Sequence, residues 1–307
     1  MRAAFTKTLL EAAKKDKRIV LLTADLGFSV LEEFIGSLPN QFINAGVAEQ
    51  NMTGMASGLA IEGYIPFIYS IIPFITMRNF EQIRNDICYQ HLNVKVVGVG
   101  AGFSYGSYGH THHALEDIGI MRMLPEMTIV APADTIKARL ATVAILALHG
   151  PCYLRIGKAG EPVLYEKDPD FHIGKGIVLT EGKDVTLVAT STMVSRAVEV
   201  SKFLERRKIS VRVISMHTLK PIDENLIVKS ARNTKVLVTL EEHSVIGGLG
   251  SIVSEVLIGS HLVIPFHKIA VPDRFTKEIG SQEYMRGKNG LGKKQIVDTI
   301  QSLLAHR

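Results

Sequence analysis

With 307 residues, 46% of them apolar and 21% charged, the chain is long enough for two globular cores and too ordinary in composition for a disordered, collagen-like or fibrous protein. Lys and Arg exceed Asp and Glu by 35 to 30, a formal charge of +5, and the densest basic runs, Lys14 to Arg18 and Arg206 to Lys208, read as solvated helix ends rather than a nucleic-acid surface. Two distant cysteines, Cys88 and Cys152, do not make a disulfide framework and fit a reducing compartment as small buried hydrophobes.

In chain order, MRAAFTKTLLEAAKK is an amphipathic helix pattern without the features of a signal peptide. The strand-like run Ile19 to Leu22 follows. The most apolar stretch, Tyr64 to Met77, is too short to cross a bilayer. It carries Pro66 and Pro73, which predicts an irregular or edge segment. A soluble, cytoplasmic protein is expected. A helical stretch beginning near Arg78 leads to a strand ending at Val99. Thr128 to Val130 leads through Asp134, an N-cap candidate, into a helix reaching His149, and Tyr153-Leu154 closes this half.

Glu161 to Gly176 is aperiodic and holds two prolines and two glycines, so it reads as a linker. The alternation then resumes. Val185 to Val188 precedes a helix from Met193 to Arg207, and Val211 to Ile214 precedes one from Glu224 to Ala231. Lys235 to Leu240 leads through Gly247-Gly248-Leu249-Gly250 into another, and a last helix starts near Lys293. Near-continuous apolar strands between helices mean parallel sheets covered on both faces. The expected fold is α/β, with two doubly wound domains at 1–160 and 179–307 joined by 161–178.

Three segments bear on chemistry. Glu49 opens a helical pattern in Gly46-Val47-Ala48-Glu49-Gln50-Asn51-Met52. A carboxylate there ordinarily serves the helix dipole, but Gly54, Ala56, Gly58 and Ala60 behind it also admit a flat ligand. The run Pro66 to Phe74 is core or, through an exposed aromatic, a stacking platform. The loop from Gly100 to His113 follows a strand, where open α/β sheets bind ligands, and clusters glycines, hydroxyls and three histidines. No cysteine or helically spaced partner completes a metal set, so a polar, histidine-lined substrate pocket is the preferred reading. Gly247 to Gly250 is too short for a dinucleotide fingerprint and reads as a tight turn into a helix.

Four segments in order resemble the C-terminal two domains of transketolase, across essentially the whole chain. They are GVAEQNMTGMASGLAIEG, HHALEDIGIMRMLPEMTIVAPAD, RVISMHTLKPIDENLI and LEEHSVIGGLGSIVSEVL. The resemblance extends to deoxyxylulose phosphate synthase and the beta subunits of 2-oxoacid dehydrogenases. It implies a pyrimidine-binding domain and a C-terminal domain of a thiamine-diphosphate enzyme that transfers a two-carbon ketol unit. A 2-oxoacid dehydrogenase beta subunit or a decarboxylating synthase is the alternative. Glu49 would bind the pyrimidine nitrogen N1′ and control its proton. Phe74 matches the aromatic stacked on that ring, with Ile71 and Met52 expected beside it. His112 matches the family's active-site histidine, and Tyr108, His110 and Lys158 join it as expected substrate contacts. Lys158 falls where the family usually has a phosphate-binding arginine, keeping the charge without the bidentate fork.

The departures lie on the substrate side. Tyr108 stands where the family often has an aspartate four residues before the histidine, Gly100 where transketolase has a further histidine, and Ile71 where it has another aromatic. The Gly-Asp-Gly motif and later Asn that hold diphosphate and Mg²⁺ in full-length transketolases find no match, Asp25-Leu26-Gly27 being the nearest fragment. The resemblance therefore implies a natural split subunit, with no metal ligands of its own. A separate N-terminal chain would hold Mg²⁺ and the diphosphate, and a homodimer of this chain would form the centre of an α2β2 assembly.

Overall fold

The computed structural model describes residues 1–305. Six strands come from the first half: β1 (Ile19–Thr23), β2 (Phe42–Asn44), β3 (Ile65–Ile71), β4 (Lys95–Val99), β5 (Thr128–Val130) and β6 (Cys152–Ile156). Six follow: β7 (Ile177–Thr180), β8 (Val185–Ala189), β9 (Val211–Ser215), β10 (Thr218–Lys220), β11 (Val236–Ser244) and β12 (Phe266–Val271). They form a seven-stranded sheet, ordered β10-β5-β6-β4-β3-β1-β2, and a five-stranded sheet, ordered β12-β11-β8-β9-β7. Both are the α/β layers expected from the alternation. Among the described residues only β10 and β7 run antiparallel to their neighbours.

The interior strands β1, β4, β6 and β8 are buried at every position, because helices cover both faces. Each fully buried Val, Leu or Ile there contributes about 1.5–3 kcal/mol of transfer free energy. Leu154→Ala in β6, where the side chain has no exposure, would cost about 2–5 kcal/mol. Helix starts follow local chemistry. Asp134 accepts from the Lys137 N–H, Asp223 from the Leu226 N–H and Ser281 from the Tyr284 N–H. Among the described residues no helix is long and apolar enough to cross a membrane.

One expectation needs correction. The segment with Pro66 and Pro73 is neither irregular nor an edge: β3 lies between β1 and β4 and is buried along nearly its whole length. Its ladder with β4 starts only at Phe67, opposite Lys95, while the Ile65 N–H bonds to Arg18 on the β1 side. Strand alternation then turns the Pro66 nitrogen toward the β4 side, beyond the end of that ladder, so no bond is lost. Pro73 sits in the first turn of helix Ile72–Thr76, where a missing N–H costs nothing.

The two halves of the chain also interlock. β10 leaves its own half and pairs with β5 at the edge of the first sheet, Thr218 opposite Val130. The helix Thr135–Ala147 reaches the other way: the Lys137 ammonium, fully buried, donates to Ser215 Oγ at 2.9 Å and His217 Nδ1 at 3.0 Å. Burial pulls this amine down to about 7. Residues 161–176 carry no regular element, and β7 straddles the expected boundary between linker and second domain.

Candidate active site

At the C-terminal ends of β2 and β3 the chain makes a polar corner. The Asn44 side chain ties the loop after β2 to the loop after β1, accepting from the Gly46 and Asp25 N–H groups, both at 3.0 Å. Gly46, at φ +73°, then turns the chain into helix Glu49–Ile61. Glu49 is its first residue and only 4% exposed, a carboxylate at the positive end of a helix dipole. The Arg78 guanidinium donates to both of its oxygens, at 3.1 and 3.2 Å. The same guanidinium lies 4.0 Å above the Phe74 ring. Phe74 is half-buried on the short helix following β3, and meets the His112 ring edge-on at 5.1 Å. The Thr53 hydroxyl donates to the Glu49 carbonyl and accepts from Asn79, locking the helix to the segment that carries Arg78.

His112 belongs to the loop after β4. Gly100 starts that loop at φ +96°, where an added Cβ would lie 2.3 Å from the Tyr105 ring, so only glycine fits. Two single-turn helices, Gly106–Tyr108 and His110–His112, follow. His112 Nδ1 lies 3.0 Å from Thr111 Oγ1, and its ring rests 5.3 Å from Tyr108. Burial first, and the Arg78 charge second, hold the His112 imidazole below its ordinary range, favouring the neutral ring at pH 7. The Lys158 ammonium stands 4.9 Å over Tyr105 and 5.7 Å from Tyr108. Among the described residues Lys158 has no carboxylate in ion-pair range, so its charge is open to an external anion.

The three histidines face three ways. His110 turns toward Phe275, at 5.9 Å, and His112 toward Phe74. His113 is buried against Phe103, with its Nε2 3.4 Å from the Gly106 carbonyl. Among the described residues no three His, Cys, Asp or Glu side chains converge as metal ligands would.

The structure thus brings Glu49, Phe74, His112, Tyr108 and Lys158 onto one continuous face. Ile71 adjoins it, half-buried at the end of β3. Met52 does not belong to the face. It points from the same helix into the core and has no exposed surface to offer a ligand. His110 stands aside, exposed beside Phe275.

Sequence reasoning missed Arg78. It lies 29 positions from Glu49, and nothing local to it distinguishes it from other helix-segment arginines. The glycines at 247–250 do make a turn into helix Leu249–Gly259. That helix start is already filled, since the buried Glu241 carboxylate accepts from the Leu249 and Gly250 N–H groups at 2.6 and 2.7 Å. Both cysteines are buried and free, with burial raising their thiols to about 11 and 12, so neither offers a thiolate.

Comparison with known proteins identifies the two halves of the chain. The model of the transketolase pyrimidine-binding domain matches residues 1–160, and that of the transketolase C-terminal domain matches residues 174–296. A 6-deoxy-6-sulfo-D-fructose transketolase subunit from a Clostridium species is 40% identical, over 97% of this chain and 92% of that protein. An apulose-4-phosphate transketolase subunit from Phocaeicola vulgatus is 39% identical, over 97% of this chain and 95% of its own. A solved split-gene transketolase, described as an inactive beta4 tetramer, superposes with a TM-score of 0.88 at 42% identity, covering 99% of this chain and 97% of that one.

Proposed function

The chain belongs to the transketolase family, and from that premise we propose that it is the C-terminal subunit of a split, thiamine-diphosphate-dependent transferase that moves a two-carbon ketol unit between sugar or sugar-phosphate substrates. One observation carries the site assignment. A planar N–H donor, the Arg78 guanidinium, is held at once against the Phe74 ring and both oxygens of Glu49. An aminopyrimidine is also a planar, hydrogen-bonding ring, so the corner fits the cofactor's pyrimidine.

When bound, thiamine diphosphate supplies the carbon nucleophile that a ketol transfer needs. The chain's own residues do the rest of what this half contributes. Glu49 holds a proton at the pyrimidine N1′ atom, a role suited to a carboxyl removed from water at a helix start. Arg78 occupies both Glu49 oxygens in this structure, so Glu49 would exchange Arg78 for the ring on cofactor binding. Phe74 and Ile71 supply the apolar surface on which the ring packs, and Met52 supports that surface from within the core. His112, neutral at pH 7, orients a substrate oxygen and accepts or returns its proton.

Lys158 takes an anionic group of the substrate, with the Tyr108 hydroxyl at its margin. Both relatives named above act on sugars with an anionic substituent, and the unpaired Lys158 supports the same class here. Tyr108, which both donates and accepts a hydrogen bond where an aspartate only accepts, favours a donor other than the ordinary pentose phosphates. Mg²⁺ and the diphosphate belong to a separate N-terminal subunit, and two copies of each chain make an α2β2 enzyme. The related beta4 tetramer, described as inactive, supports the need for that partner.

The test uses the complex reconstituted with a candidate N-terminal subunit, assayed with ketose phosphates, 6-deoxy-6-sulfo-D-fructose and pyruvate as donors. Turnover of sugar donors, reduced roughly 100- to 10,000-fold by Glu49→Ala, is expected. Full activity of that variant would remove Glu49 from the mechanism. Turnover of pyruvate alone would move the chain to the 2-oxoacid enzymes.

A further inference from the structure

The loop carrying Tyr108 and His112 closes on itself at its neck, where Gly102 and Ala114 pair at 3.2 and 3.0 Å. That neck is gripped by a charged group from the second half of the chain. Glu242, near the end of β11 and 1% exposed, accepts the Phe103 N–H at 3.1 Å. The same carboxylate accepts from Thr192 Oγ1 at 3.0 Å, from Gln282 Nε2 at 3.0 and 3.2 Å, and from Arg286 Nη2 at 2.7 Å. Gln282 Nε2 also lies 3.4 Å from Ser104 Oγ, one residue further into the loop.

The backbone is shaped for this grip. Gly102 has φ +62°, and a Cβ there would lie 2.5 Å from the Glu242 side chain. Gly106 abuts the Gly280 carbonyl, which would lie 2.6 Å from an added Cβ, and Gly280 donates its N–H to the Gly106 carbonyl at 3.2 Å. Arg155 completes the socket. It is bidentate on Asp117, and its Nη2 donates to the Ala114 carbonyl at 2.9 Å and the Glu242 carbonyl at 3.2 Å. A buried ion pair such as Glu242–Arg286 is a poor way to gain stability, since desolvation offsets its attraction. Its value lies in fixing one arrangement of the groups it holds.

We infer that Glu242 is a positioning residue for the transfer reaction, clamping the histidine loop from the second half of the chain so that His112 stands correctly against the Phe74 face. The inference rests on the reading of His112 as a substrate-side residue. It gives the second half of the chain, which among the described residues contributes none to the Glu49 corner, a part in substrate geometry.

Two variants test it in the reconstituted, cofactor-loaded complex, with 6-deoxy-6-sulfo-D-fructose or a ketose phosphate as donor. Glu242→Gln keeps the size and an acceptor for the Phe103 N–H but removes the charge that orders Arg286. Gln282→Ala loosens the same carboxylate from a half-buried position, leaves no charge unpaired and should fold normally. Each is expected to raise the donor KM and lower kcat, by roughly 10- to 100-fold in kcat/KM for Glu242→Gln and less for Gln282→Ala. Thiamine diphosphate affinity, set at the Glu49 corner and in the partner subunit, should not move. Wild-type KM and kcat in both variants would overturn the inference. So would an unchanged KM with kcat, cofactor affinity and melting temperature falling together, the pattern of a merely structural residue. His112→Ala separates the two levels. If it leaves kcat/KM intact, the site reading itself fails; if it abolishes turnover while both clamp variants are wild type, only the clamp fails.

Discussion

Glu49 and His112 both meet the Phe74 ring, Glu49 through Arg78 and His112 directly, yet they are held by different kinds of structure. Glu49 is the first residue of a three-turn helix, tied by Thr53 and Asn79 to a strand-helix junction within the first sheet. His112 rides on a loop of single turns whose neck is fastened by Glu242, 139 positions away from the Phe103 amide it holds. On the proposed assignment, the cofactor side is a product of local secondary structure, and the substrate side of long-range tertiary contact. A scaffold of this kind keeps the cofactor's chemistry constant while substrate geometry changes through the loop and its distant clamp.

The comparison breaks most sharply at the neck of the loop. Arg155→Met would leave the buried Asp117 without its charge partner, with only the Tyr153 hydroxyl still donating to it, and strip a donor from the Ala114 carbonyl. Loss of one member of such a pair costs about 3–5 kcal/mol, read as a lower denaturation midpoint by urea titration. The account also requires that the substrate loop suffer before the Glu49 corner, so at sub-denaturing urea the variant should lose turnover before it loses cofactor binding.

Lys158→Met sharpens the contrast from the substrate side. A charge-assisted contact is worth about 1.5–3 kcal/mol, so KM for an anionic donor should rise roughly 10- to 100-fold. An uncharged donor should be affected far less, and thiamine diphosphate affinity not at all. Equal losses with charged and neutral donors would remove Lys158 from anion recognition.

The smallest effect expected is a change in pH dependence. Burial and the Arg78 charge both disfavour the His112 imidazolium, so the neutral ring persists to lower pH than in an ordinary histidine. If the neutral ring is the working form, kcat/KM falls as pH drops through that lowered value. Arg78→Met removes one cause, raises the His112 value and moves the acid limb to higher pH. Arg78 is 48% exposed, so the movement should be modest and should shrink in wild-type comparisons at high salt. An acid limb that stays fixed would mean that His112 does not set it.

The same contrast explains what could be read from the amino-acid sequence. The α/β layers were legible because interior strands such as β4 and β6 are apolar at nearly every position and alternate with helices. The Asp134 cap was legible because its chemistry is three residues long. Glu49 and Phe74 came from contiguous segments. The interior place of β3 was not legible: Pro66 argues for an edge unless the starting point of the neighbouring strand is known. Nor was β10, three residues whose pairing with β5 depends on how the two halves meet. Arg78, Glu242 and Gln282 carry no pattern of their own and acquire meaning only from partners distant in the chain.

The central claim is that this chain holds half of a cofactor site. Calorimetric titration of thiamine diphosphate with Mg²⁺ into the chain alone, and into its mixture with a candidate N-terminal subunit, tests it most directly. The account predicts saturable binding in the mixture and none of comparable affinity by the chain alone. Tight binding by the isolated chain would contradict it, because the diphosphate and metal would then have a site on this subunit.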